Sequence, residues 1–134
     1  MNDEIRLWWQ YAEDNKKSAE VLLAQSLFNP CIQNAQQAVE KYLKTVLLAK
    51  GLPLRRTHSI QELTKLLEEA GVAIPLSPED VDLLDAIYLP SKYPLGSALP
   101  DFTADAAICS KCLGLVESVR KTIEEIFNLL KIGL

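Results

Sequence analysis

The sequence predicts an all-α protein: an antiparallel up-down bundle of five helices, three long and two short, forming one domain over residues 1–134. Three observations carry this reading. Apolar residues recur at three- and four-residue steps through the long segments. Cap residues, prolines and glycines fall at the ends of those segments rather than inside them. No segment alternates in the strand manner between turn signals, and the chain holds no internal repeat or low-complexity tract.

The first helix is placed at about Asp3 to Gln25 by Ile5, Trp8, Ala12, Ala19 and Leu22. In the second, Asn29 suits an N-cap and Pro30 the first helical position, where its missing N–H costs nothing. Its apolar stripe is Ile32, Ala35, Val39, Tyr42, Leu43 and Val46, and Gly51 followed by Pro53 ends it. Ser59 and Glu62 have capping-box spacing and open a short third helix, with Leu63, Leu66 and Leu67 inward and Gly71 closing it. Ser77 caps a fourth that starts at Pro78 and carries Val81, Leu84 and Ile87. Leu89 to Pro100 holds prolines and a glycine and reads as a long loop, a length often tied to function. From about Thr103 a last long helix carries Ile108, Cys112, Leu115, Val119, Ile126 and Leu129 on one face, and residues 131–134 are expected to fray. The two short helices form a crossover between the second long helix and the last.

Composition narrows the function class. With 134 residues, 49% of them apolar, the chain suits one globular core. Apolar runs of a few residues cannot span a membrane, and the acidic start MNDEIRLWW lacks a signal-peptide pattern. Three cysteines cannot all pair within the chain, so reduced thiols in a cytoplasm are expected. Fourteen Lys and Arg face eighteen acids, a net charge of -4. That balance weighs against broad binding of a nucleic-acid duplex, which is driven by counterion release from phosphates, yet it permits local recognition of a few phosphates.

Four constellations have a chemical reading beside a structural one. Cys109 and Cys112 form C-x-x-C, but zinc needs about four ligands and a thioredoxin-type pair needs a strand-to-helix setting, so core packing is expected and no metal. Gln33, Asn34, Gln36, Gln37, Glu40, Lys41 and Lys44 make a polar face on the second helix. It reads as a solvated face with a Glu40–Lys44 pair contributing about 0.3–0.5 kcal/mol, or as a groove that holds a ligand or partner helix. Arg55, Arg56, Thr57, His58 and Ser59 precede the third helix, whose free N–H groups and dipole would make an anion pocket; otherwise they are an exposed loop with Ser59 as a cap. Ser91, Lys92, Tyr93 and Pro94 lie in the long loop, where Tyr93, biased before proline toward an extended backbone, would pin its ring over the bundle end; otherwise they form a purely structural turn, the safer reading on spacing alone. Among these stretches there is no phosphate-binding glycine loop, Ser-His-Asp set or metal-ligand cluster.

Several pieces together resemble one family. Trp8 and Ala12, CIQNAQQAVEKYLKTVLL from Cys31 to Leu48, His58-Ser59 at a helix start, and YLPSKYP from Tyr88 to Pro94 are similar to small prokaryotic HEPN domains, over about Trp8 to Ile126. The resemblance implies a helical bundle, usually a homodimer, often encoded beside a minimal nucleotidyltransferase as a toxin–antitoxin-like module. Many such relatives are ribonucleases with Arg, four to six residues, then His, converging across the dimer cleft. Here the only histidine is His58, and Gly51, Leu52 and Pro53 stand where that arginine belongs. Lys92 stands where relatives commonly have Arg before Tyr-Pro; it keeps the charge and loses the bidentate fork. The expectation is a non-catalytic domain that binds a nucleotide or phosphate-bearing ligand, needs no cofactor and partners a nucleotidyltransferase. Its expected ligand residues are Glu40, Lys41, Lys44, His58, Lys92 and Tyr93, the lysines on phosphate, Tyr93 stacking and His58 donating. The rivals are an RNA-cleaving toxin with a non-standard site and a pure interaction scaffold.

Overall fold

The computed structural model describes residues 3–54, 56–88 and 104–133. Five helices lie among them, α1 (Asp3–Ala24), α2 (Phe28–Ala49), α3 (Ile60–Glu69), α4 (Pro78–Tyr88) and α5 (Ala106–Leu129), with no strand among the described residues. Helix α1 pairs with α2 along their length as a hairpin, and α5 packs on both. Trp9 meets Phe127 and Glu13 meets Arg120, so α5 runs antiparallel to α1. Cys109 reaches the carbonyl of Phe28, so α5 runs alongside α2 in the same direction. A parallel neighbour needs a return path, and α3 and α4 lie across α2 to supply it.

Local chemistry sets the helix ends. Four helices close with the same pair of backbone bonds, in which the second and third residues past the helix reach back to carbonyls in the last turn. Leu27, Leu52, Val72 and Ile132 donate the second bond of each pair, after residues with positive φ at Ser26, Gly51, Gly71 and Lys131. The glycines adopt that conformation without steric cost; Ser26 and Lys131 use it without the glycine signal. The Oγ of Ser59 accepts from the N–H of Glu62, while Ser77 and Asp80 cap each other's N–H groups reciprocally. Helix α5 starts at the cap Asp105, which accepts from the N–H of Ile108; Thr103 and the expected loop Leu89 to Pro100 lie outside the described residues.

Three expectations are corrected. Asn29 is no N-cap: the tight turn through Ser26 feeds straight into α2, Leu27 occupies the cap position without a side-chain bond, and Asn29 and Pro30 lie in the first turn. Trp9, rather than Trp8, faces the core, because it continues the row of Ile5, Ala12 and Ala19. On α5 the buried row is Cys109, Cys112, Val116, Val119, Ile123 and Phe127, while Leu129 is 83% exposed and Ile108, Leu115 and Ile126 are half-buried. That helix has apolar residues on most of its circumference, and the register that sets Phe127 against Trp9 is the one that packs.

The three thiols are free and fully buried. Burial pushes Cys109 and Cys112 up to about 12, which leaves them as protonated packing groups. No group of metal-binding side chains occurs among the described residues, and no described helix is long and apolar enough to cross a membrane.

A polar clamp ties the three long helices together. Arg120 donates to both oxygens of Glu13, at 2.6 and 3.3 Å, and also pairs with Glu124. The hydroxyl of the fully buried Tyr42 donates to Glu13 at 2.5 Å, and the Arg120 guanidinium lies over Trp9. Burial alone would raise the Glu13 pKa; the hydrogen bonds from Arg120 and Tyr42, with the Arg120 charge, outweigh it and hold the carboxyl below its ordinary value. Burial and the Glu13 bond push the Tyr42 hydroxyl up, so it stays a donor. A carboxyl depressed on folding stabilises fully above its unfolded pKa and ceases to as pH falls through the folded one. Glu13→Gln is therefore expected to be less stable than the parent at neutral pH, with the gap closing as pH falls below the ordinary carboxylate range; urea unfolding at neutral and acid pH measures it.

Candidate functional site

Gln36, Glu40 and Lys44 lie one turn apart on α2, which puts all three side chains on one face. The chain entering α3 covers that face, so Gln36 is 1% exposed and Glu40 and Lys44 each 5%. The solvated reading of the polar face is thereby overturned for these three residues, while Gln33, Asn34, Gln37 and Lys41 are half-buried. A buried charge must be paired. Lys44 Nζ lies 3.0 Å from one Glu40 oxygen, and His58 Nδ1 lies 3.0 Å from the other. The Lys44 ammonium also sits over the Trp8 ring, 5.5 Å from its centroid, so the half-buried indole covers the pair from the outside.

His58 is held on three sides. Glu40 takes Nδ1, the Tyr88 ring stacks on the imidazole at 4.6 Å with 22° between planes, and the Gln36 amide donates to the His58 carbonyl at 3.4 Å. Paired with Lys44, the Glu40 carboxylate can only accept, so Nδ1 carries a proton in either charge state of the ring. The neutral ring then presents a lone pair at Nε2, and the protonated ring presents an N–H donor there. The His58 side chain is 52% exposed and lines an open depression of about 410 Å³ with Arg56, Thr57, Ser59, Asp85 and Tyr88.

The N-terminus of α3 is already satisfied. Asp85, from α4, accepts from the N–H of Ile60 at 2.6 Å and of Gln61 at 3.1 Å, with Ser59 Oγ 3.4 Å away. The anion pocket expected at this helix start is thus filled by the protein's own carboxylate. His58 correspondingly binds Glu40 instead of donating at the helix end.

The polar cluster, its aromatic covers and the crossover that buries it span most of the chain, and the comparisons match that extent. The family model described as HEPN domain matches residues 5–126. The chain belongs to the HEPN family. A solved structure, the crystal structure of TT1696 from Thermus thermophilus, is 27% identical, with a TM-score of 0.72 over 92% of this chain and 98% of that one. No curated protein matches the sequence.

Within this HEPN domain the expected ligand residues divide into three groups. Glu40, Lys44 and His58 come together. Lys41 points elsewhere: its ammonium donates to Asn15 at 2.6 Å and lies over the Tyr11 ring, and burial lowers its pKa. Lys92 and Tyr93 lie outside the described residues, as does Arg55 of the expected anion pocket. Asp85 enters the site unforeseen, and Gln36, named on the polar face, was not among the expected ligand residues. Tyr88, although part of the YLPSKYP signature, was not expected against His58. One sequence sign was available for Gln36, its i to i+4 spacing before Glu40 and Lys44; Asp85 carried none, since its partners are about 25 residues away.

Removing Lys44 leaves a carboxylate buried without a cation, and breaking one side of a buried pair costs about 3–5 kcal/mol. Lys44→Met is expected to lose stability on that scale. The double variant Glu40→Gln with Lys44→Met should recover part of it, because no charge is then stranded. Urea unfolding of the three proteins measures this.

Proposed function

We propose that this HEPN domain is a non-catalytic module that binds a nucleotide or other phosphate-bearing ligand at the exposed edge of His58. The observation that carries the proposal is the imidazole itself, oriented by Glu40, stacked on Tyr88 and open at Nε2 toward the depression that Arg56 also lines, where the Asp85 carboxylate is engaged by the N–H groups of α3. A protonated Nε2 and a guanidinium are both donors suited to phosphate oxygens. Glu40 and Lys44 act behind the ring by fixing its position, and Lys92 and Tyr93, which follow Tyr88 by four and five residues, belong to the proposed contact set. The resemblance further supports a cytoplasmic homodimer that serves as accessory partner of a nucleotidyltransferase, in a toxin–antitoxin-like module. Leu7, Tyr11 and Val21, apolar residues about half exposed on α1, offer a surface for pairing copies.

One observation favours a second reading. A carboxylate-held imidazole with an open nitrogen is also the arrangement of a general base, so an RNA-cleaving domain with a non-standard site is the rival. The Arg-x(4-6)-His pattern of ribonuclease relatives is absent, and no cation beyond Arg56 faces His58 among the described residues.

Calorimetry with common nucleotides at low salt tests the first reading, and light scattering of the same sample, with an expected mass about twice 14.9 kDa, tests the dimer. Binding is expected to weaken with added salt, as partly exposed charges do. His58→Ala and Arg56→Ala should each weaken it about tenfold, since a charge-assisted hydrogen bond contributes about 1.5–3 kcal/mol. Absence of heat with every nucleotide leaves the scaffold. Cleavage of single-stranded or transfer RNA in chelator that vanishes in His58→Ala, but survives repurification of the parent, establishes the ribonuclease instead.

A further inference from the structure

The net negative charge of the protein lies on one lobe. Residues 59–88, which contain α3, α4 and their link, hold seven acids and one base, so the rest of the chain holds eleven acids and thirteen bases. Two of the seven are engaged: Asp85 caps α3, and Asp80 caps α4 and faces Lys111. Glu62, Glu68, Glu69, Glu79 and Asp82 are exposed and make no ion pair or side-chain hydrogen bond among the described residues.

Between these carboxylates runs a groove with an apolar floor. Ile74, Leu76, Pro78 and Val81 form that floor, Gln61, Thr64, Lys65 and Glu68 of α3 and Asp82 of α4 stand at its sides, and its volume is about 520 Å³. Ile74 and Leu76 pack against the core yet stay partly open to solvent. An apolar floor flanked by exposed carboxylates, which outnumber the single Lys65, is complementary to a helix with aliphatic side chains on one face and Lys or Arg beside them. The same charges repel phosphates, so nucleic acid and anionic lipid surfaces are poor occupants.

We propose that the α3–α4 groove docks a cationic amphipathic helix of a protein partner, with Glu68 and Asp82 pairing its basic residues. The groove is separate from the open edge of His58, so docking stands or falls independently of nucleotide binding.

The test uses the full chain, isotopically labelled, and three fluorescent peptides of about 15 residues: leucine–lysine, serine–lysine of equal charge, and leucine–glutamate. The leucine–lysine peptide is expected to bind at least about tenfold more tightly than either control and to shift the amide signals of residues around Ile74, Leu76 and Val81. Reversing the exposed rim with Glu68→Lys and Asp82→Lys should weaken that binding about tenfold while circular dichroism keeps the parent helix signal. Equal affinity for the two lysine peptides, shifts confined to another face, or binding indifferent to the charge reversal would overturn the proposal.

Discussion

Helix α2 is enclosed by α1, α5 and the α3–α4 crossover, so every polar group it carries inward must find a partner within the protein. The rest of the structure follows from that constraint. Residues 42–47 are buried without a break, a pattern no one-sided amphipathic helix shows. The polar residues on the helix answer in two places. Toward α1 and α5, Tyr42 gives its hydroxyl to Glu13, which Arg120 neutralises. Toward the crossover, Glu40 is shared by Lys44 and His58. The first clamp fixes the three long helices on one another. The second fixes the only histidine at the edge of a surface depression.

The two clusters differ in what they leave open. In the Glu13 clamp both charged partners use several of their hydrogen-bonding atoms on each other, and Trp9 covers the guanidinium. In the Glu40 cluster the lysine is consumed and covered by Trp8, but the imidazole keeps one nitrogen outward. Lys44 therefore stabilises the buried carboxylate and is unavailable as a direct phosphate ligand. The crossover adds a second asymmetry: residues 59–88 carry the net negative charge and the rest of the chain a small net positive one, so the overall charge of -4 is a poor guide to the surface elsewhere.

What the sequence makes legible is local. Gly51 and Gly71 mark helix ends because positive φ is cheap only there, and Ser59 and Ser77 cap because their oxygens reach N–H groups three residues on. The stripe of α2 is legible because its apolar residues dominate every turn. Tertiary choices are not. Trp8 and Trp9 are adjacent, and only contact with Tyr42 and Phe127 selects the second. A Glu and a Lys at i and i+4 look alike whether solvated or buried; the covering chain makes Glu40–Lys44 a buried pair. Asp85 reaches the start of α3 across some 25 residues, a contact no local pattern encodes. Family resemblance supplied the link between His58 and the α2 polar face, which spacing alone left open.

Everything proposed for the site depends on Glu40 holding His58 through Nδ1. Nitrogen-15 NMR of the imidazole reads that bond directly. The structure predicts that the neutral ring of His58 is the Nδ1–H tautomer, with its proton protected from solvent exchange, and that Glu40→Ala abolishes the protection while the helical circular dichroism signal persists. A neutral ring protonated at Nε2, or a spectrum unchanged by Glu40→Ala, would contradict it.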